Sequence, residues 1–177
     1  PNDSENDIDG DGLCCGGDDY YINFNGEDTY VDYIESIQPN GALTIAAKFK
    51  TSMSDYGRII SKRTQSTNIF MLMMHGNVLR FNVMEDAQCE SVTTFNDGQW
   101  HYAMGVWDGS TIKLYVDGNL ECETSSVNPI DYSEVANYPF IGASSPNSEL
   151  FNGSLDEISI WDVAKTPDGS SQLNINP

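Results

Sequence analysis

The stretch that decides the fold runs from Asp97 to Glu123, DGQWHYAMGVWDGSTIKLYVDGNLECE. It reads as three strands joined by two tight turns. Trp100, Tyr102, Met104 and Val106 share one parity of the first strand, and Ile112, Leu114 and Val116 share one parity of the second. A period of two is the mark of strands packed on a core. Asp108-Gly109 and Asp117-Gly118 supply the turns, because glycine tolerates positive φ and aspartate tolerates it better than most residues.

The same period extends on both sides of this triple. Leu43, Ile45, Ala47 and Phe49 alternate with Thr44, Ala46, Lys48 and Lys50, which predicts a strand with one buried and one wet face. Shorter apolar runs at residues 58–62, 69–74, 78–83, 89–95 and 140–142 read as further strands. No internal repeat is visible, and no helix longer than a turn or two is expected.

At 177 residues the chain can fill one sandwich with a short appendage. Eight basic residues against 27 acidic ones give a formal charge of −19. That field argues against nucleic acid and anionic membranes as partners, since phosphate contacts need the opposite sign. Solubility and adaptation to salt are the bland explanations of such a surface. No apolar run approaches the roughly 20 residues that cross a bilayer. The chain begins on Pro without a signal-peptide pattern, and is expected to be a piece of a larger precursor. Four cysteines, an all-β pattern and the sequons Asn2-Asp3-Ser4 and Asn152-Gly153-Ser154 suggest an oxidising, extracellular setting, secreted or at a cell surface.

Three motifs in order carry a family resemblance. The run W-H-x-A-x-x-W-D-G-x-T-x-K-L-Y-V-D-G resembles the central hairpin of laminin G-like and pentraxin-like domains, which belong to the concanavalin-type sandwiches. YINFNGEDTYVDY, residues 21–33, resembles their opening strand pair, and FNGSLDEISIW, residues 151–161, their closing strand. The resemblance covers residues 20–165. It implies an all-β fold, an antiparallel jelly-roll β-sandwich, preceded by an acidic segment at 1–19 and followed by an irregular Pro-, Asp- and Ser-rich tail at 166–177.

The acidic segment, PNDSENDIDGDGLCCGGDD, holds seven carboxylates and no Lys or Arg. Asp7-x-Asp9-x-Asp11-Gly12 matches the opening of an oxygen-ligand Ca2+ loop: alternating carboxylates present several oxygens to a hard cation, and Gly permits the sharp reversal. In that register the Leu13 carbonyl and Asp18 complete the ligand set. The segment also resembles a thrombospondin type 3 calcium repeat; a disordered acidic linker is the alternative. The laminin G-like resemblance implies a second calcium, where the turn after the first strand meets the start of the last. Asp28 and Asp156 would be its side-chain ligands, with Asn25 and backbone carbonyls filling the shell. The alternative there is that Asp28 caps a turn and Asp156 accepts backbone N–H bonds.

Four cysteines allow three pairings. A Cys89–Cys122 disulfide is expected, because both residues flank the central strands and a ring between the neighbours Cys14 and Cys15 is strained. Free buried thiols are the alternative. By the repeat resemblance, at least one of Cys14 and Cys15 pairs with a cysteine upstream of Pro1.

Catalysis is not expected. Glycoside hydrolases need two carboxylates about 5–10 Å apart, and on this fold they lie on one strand as E-x-D-x-x-E. Asp156-Glu157 are consecutive and must point to opposite faces of a strand. Glu121-x-Glu123 has Ser126 where the third acid belongs. His75 falls in an expected turn, His101 resembles a packing histidine of the family, and no zinc or phosphate motif appears. A lectin site would need an exposed aromatic platform, for which Trp107 and Tyr115 are the first candidates and Tyr56, Tyr132 and Tyr138 the others. The loop 144–150 carries only Glu149 as an acid, which departs from the calcium loop of pentraxins. These readings converge on a non-catalytic, calcium-binding extracellular recognition or adhesion module set among neighbouring domains. Its ligand would be an extracellular protein or a glycan; a carbohydrate-binding lectin-type module is the alternative, and a glycoside hydrolase of the same fold the next after it.

Overall fold

The computed structural model describes residues 21–32, 38–39, 41–64, 67–84, 87–125, 130–132 and 139–167. Asp7, Asp9, Asp11, Leu13 and Asp18 lie outside the described residues, as do Cys14, Cys15 and Tyr138. The described chain is all β. Its strands are β1 (Ile22–Asn25), β2 (Val31–Asp32), β3 (Leu43–Lys50), β4 (Tyr56–Arg63), β5 (Asn68–His75) and β6 (Val78–Val83), then β7 (Ala87–Thr94), β8 (Trp100–Trp107), β9 (Thr111–Val116), β10 (Asn119–Ser125), β11 (Phe140–Ile141) and β12 (Asn152–Trp161).

These strands form two six-stranded sheets, one in the order β1-β12-β3-β8-β9-β10 and the other β2-β11-β4-β5-β6-β7. Every pairing is antiparallel. The first and last strands, β1 and β12, lie side by side, and the architecture is the expected jelly-roll sandwich. No helix occurs among the described residues.

The core forms between the inward faces. Leu43, Ile45, Ala47 and Phe49 of β3 meet Ile69, Phe70, Leu72 and Met74 of β5 and Leu79, Phe81 and Val83 of β6 within one buried cluster. Burying each such aliphatic or aromatic side chain contributes about 1.5–3 kcal/mol. The sheets touch closely at Gly105, where a Cβ would lie 2.4 Å from the Phe81 ring. Any side chain there would push β8 off β6.

The three-strand reading of 97–123 holds, and its turns are built as the residues require. Asp117 and Gly118 both have positive φ, 49° and 77°, the conformation of a two-residue type I′ hairpin. Asp108 Oδ1 accepts hydrogen bonds from the N–H groups of Ser110 and Thr111 at 2.9 and 2.8 Å, closing the other turn. The facing of β8 is the reverse of what its apolar parity suggests. Ala103 and Trp107 enter the core, while Met104 and Val106 pack with Ala46 on the outer face. Tyr102, Tyr115 and Trp161 pack against that outer cluster. The face of β3 expected to be wet is therefore wet only at Lys48 and Lys50. Thr44 is buried because Val163 and Lys165 cross it: Thr44 Oγ1 donates to the Val163 carbonyl at 2.7 Å and accepts from the Lys165 N–H at 3.0 Å.

Cys89 and Cys122 form the expected disulfide. It joins β7 to β10, the edge strands on the same side of the two sheets. At a sequence separation of 33, such a link removes about 4 kcal/mol of unfolded-chain entropy in the loop-closure account.

Candidate functional site

The outward face of the second sheet carries polar side chains in register across four strands. Arg58 on β4 opposes Met73 on β5, Met73 opposes Arg80 on β6, and Arg80 opposes Glu90 on β7. In the next row Met71 opposes Asn82, and Asn82 opposes Gln88. Alternation produces this surface. Arg80 and Asn82 sit between the core residues Leu79, Phe81 and Val83, so they must point the other way. With Tyr56 and His75 at one end, the two rows line a groove of about 250 Å³. That lies just below the roughly 300–1,000 Å³ of sites for drug-sized ligands.

Two ion pairs frame the groove. The Arg58 guanidinium is 4% exposed as a residue and sits 2.6 Å from Glu149, with Nε donating to the same carboxylate at 2.7 Å and Nη1 donating to Asn68 Oδ1 at 2.8 Å. The Arg58 N–H also donates to the Glu149 carbonyl at 2.9 Å, so the loop before β12 is latched onto β4. Arg80 donates through Nε to Glu90 Oε1 at 2.8 Å, and His75 Nδ1 lies 2.8 Å from that same oxygen. The His75 ring stands against Tyr56, centroids 4.7 Å apart, and Tyr56 is 51% exposed. An aromatic face is thus open to the groove mouth.

Beside the methionine floor, Asn82 is 3% exposed and its Oδ1 is buried without a hydrogen-bond partner. Buried polar atoms are nearly always satisfied, and an orphan costs about 1–3 kcal/mol. Two other buried atoms share this state, Tyr102 Oη and Trp107 Nε1. Trp107 is enclosed by the core and Tyr102 by the aromatic cluster outside β8. Asn82 is one of the residues lining the groove, with Oδ1 itself beneath the surface. Sequence reading missed this row, because its polar residues form a site only once the strand register is known. The available signal was two of the three arginines of a −19 chain on the strands either side of β5.

The expected site residues fall elsewhere. Trp107 is 2% exposed within the core, so no ligand can stack on it. Tyr115 is half-buried against the outer cluster of β8. Tyr132 donates to the Pro39 carbonyl at 3.1 Å and packs under Lys62 Nζ. Burial pushes its phenol well above the usual range. Glu121 is used by the fold, accepting the N–H groups of Val92 and Thr93 at 3.2 and 3.1 Å.

Asp28 and Asp156 do not meet. Ile22 opposes Leu155 and Asn25 opposes Asn152, so the two aspartates leave the β1–β12 pair at opposite ends. The four residues from Asn152 to Asp156 span about 13 Å of strand. Asp28 Oδ1 accepts from Asn25 Nδ2 at 2.7 Å, while Asn25 Oδ1 takes the N–H groups of Glu27, Asp28 and Thr29. Asp156 Oδ1 accepts the Glu157 N–H at 2.8 Å. Asn25 therefore caps the turn with Asp28 holding its amide, and Asp156 accepts a backbone N–H. Among the described residues no group of three His, Cys, Asp or Glu side chains could hold a metal ion. A hollow of about 390 Å³ beside Lys50 and Asn152 has its threonine committed, Thr51 Oγ1 donating to the Asn152 carbonyl at 2.5 Å.

His101 is a structural histidine. Its ring lies against Phe49 and Phe95, centroids 5.7 and 5.0 Å away, and its nitrogens reach Asp117 at 2.8 Å and Asp97 at 3.1 Å. Burial alone would lower its pKa, but the hydrogen bonds and charges of the two aspartates outweigh that and raise it. Asp97 is lowered, first by the Gln99 N–H and then by His101.

The chain matches the family model described as the concanavalin A-like lectin/glucanases superfamily, of laminin G-like type, over residues 25–169. It belongs to that family. Among solved structures it is similar to the heptameric SAP-like pentraxin of Limulus polyphemus, at 20% identity and a TM-score of 0.67, covering 83% of this chain and 77% of that one. It is also similar to the sialidase CBM40 of Ruminococcus gnavus bound to α2,3-sialyllactose, at 12% identity and a TM-score of 0.71, covering 86% and 95%. Mouse laminin α1 domains LG4-5 match at 15% identity and a TM-score of 0.62, covering 85% of this chain and 45% of that chain. No curated protein matches the chain in sequence. At these identities the likenesses establish the fold.

Proposed function

We propose that the chain is a non-catalytic extracellular recognition module whose sandwich binds a glycan in the groove outside β4–β7. The observation that carries this reading is the buried, unanswered amide of Asn82 on the groove wall. A hydroxyl would satisfy it once a small rotation of the side chain brings the oxygen to the groove surface, and the exposed ring of Tyr56 offers the apolar platform on which a sugar ring stacks. The disulfide supports an extracellular setting. The CBM40 complex with sialyllactose supports a glycan over a protein as ligand on this fold. Against catalysis stands the engagement of Glu149 on the groove wall, and of Glu90 behind Arg80, with arginines. A general acid or nucleophile must instead be free to meet the scissile bond. A glycan microarray probed with the wild type and with Tyr56→Ala tests the reading. Retention by the wild type and loss in Tyr56→Ala are expected, and an array blank for the wild type refutes it.

The calcium reading of the N-terminal segment belongs to the same proposal. Asp7, Asp9, Asp11 and Asp18 with the Leu13 carbonyl would hold one ion and stiffen the join to a preceding domain. At about 100 times the dissociation constant, binding would add about 2.7 kcal/mol to the folded state of that segment. A melting curve indifferent to chelator, with no heat on adding calcium, counts against it.

A further inference from the structure

We infer that the groove selects neutral, hydroxyl-rich sugars and rejects acidic ones, an inference that rests on the glycan reading above. Its two arginines would suggest the opposite at first sight, since arginine is the usual partner of a sugar carboxylate or sulfate. Here both arginines already face a carboxylate of the chain. Glu149 lies 2.6 Å from Arg58, and Glu90 takes both Nε and Nη2 of Arg80. An incoming anion must displace one of these glutamates or sit beside it. Two unit charges of like sign about 4 Å apart repel by about 4 kcal/mol near a protein surface.

What each pair offers instead is a donor next to an acceptor. Neighbouring hydroxyls on a sugar ring match that arrangement, giving a proton to the glutamate and taking one from the guanidinium. Asn82 points the same way. Its buried oxygen needs a donor, which a hydroxyl supplies and a carboxylate or sulfate cannot. A hydroxyl answers the amide in either rotation; an anion answers only one. The chain's −19 charge adds a repulsive field at a distance, one that salt screens within roughly 10 Å at 0.1 M.

The test is an array of neutral oligosaccharides, each printed beside its sialylated, sulfated or uronic-acid counterpart, read for the wild type and for Glu90→Gln. Glu90 is exposed on an edge strand, so the substitution leaves the core intact, and an unchanged melting temperature confirms it. The wild type should bind neutral members at least tenfold better than their acidic partners. Glu90→Gln, which uncovers Arg80, should narrow that ratio several-fold by strengthening the acidic members. Acidic members binding better than neutral ones in the wild type would overturn the inference and leave the glycan groove standing. A ratio unmoved by Glu90→Gln would remove Glu90 as its cause and overturn the mechanism. Failure of every member to bind would overturn the glycan reading itself.

Discussion

The two sheets present outer faces built on the same alternation, yet one is closed and the other open. Outside β3, β8 and β9, small and flexible apolar residues, Ala46, Met104 and Val106, lie under a roof of Tyr102, Tyr115 and Trp161. Outside β5, β6 and β7 the corresponding positions carry Met73, Arg80, Asn82 and Glu90, and Tyr56 stands at one end of the groove they line. Each face holds one orphaned polar atom, Tyr102 Oη in the first and Asn82 Oδ1 in the second. The phenol sits in an enclosed patch, where burial and then the charge of Glu157 push its pKa up to about 12. The amide sits on the wall of a groove. An unsatisfied group in a closed patch is a cost of packing, whereas one at an opening is a request for a ligand.

The largest effect that could break this contrast is Arg58→Ala. Losing one partner of a buried ion pair costs about 3–5 kcal/mol, and Glu149 is part-exposed, so about 3 kcal/mol is expected in a denaturant titration. The loop latched through Glu149 should loosen, and glycan binding should fall with it. Met104→Ala comes next. Removing a side chain that is 1% exposed should cost about 2–3 kcal/mol, with glycan binding unchanged because the two faces are separate. Loss of binding in Met104→Ala would mean that the faces are coupled through the core.

A smaller pair of substitutions sharpens the comparison. Tyr102→Phe and Asn82→Leu each remove an orphaned polar atom at similar size, and each should be neutral or stabilising by about 1 kcal/mol. Tyr102→Phe should leave binding intact, and Asn82→Leu should abolish it. Equal effects of the two on binding would erase the distinction drawn here.

The smallest expected effect is on pH. His101 has a raised pKa in the folded state, so its contribution is full below about 6.5, its ordinary value. That contribution is lost as pH rises through the folded value. Asp97 acts in the other direction: it stabilises above the ordinary aspartate range and ceases to as pH falls through its lowered pKa. His101→Gln should flatten the decline of melting temperature between pH 6.5 and 8, while groove binding stays as it was.

The strands were legible in the sequence because the core demands period two wherever a sheet has a buried face. Val78–Val83 could be read to the residue, and the Asp117-Gly118 turn from its two residues alone. The facing of β8 was not legible. Its aromatic parity looks more apolar than Ala103-x-Gly105-x-Trp107, but Phe81 needs the space of Gly105, and the bulky side chains are left to the outer face. The calcium expected at Asp28 and Asp156 depended on register in the same way. A closing strand paired with the first does not by itself say which residues lie opposite, and Asn25–Asn152 pairing separates the aspartates. The groove was hidden for the opposite reason. Arg80, Asn82 and Glu90 each read as ordinary solvated positions until the pairing of β6 with β7 brings them side by side.

One measurement tests the central claim most directly. Backbone and side-chain amide resonances of the isotope-labelled chain can be followed while a neutral oligosaccharide retained on the array is added. The account predicts shifts at Tyr56, Arg80, Gln88 and above all the Asn82 side-chain amide, with Met104 and Tyr115 unmoved. Shifts confined to the Met104–Tyr115 face, with a silent Asn82 amide, would contradict it.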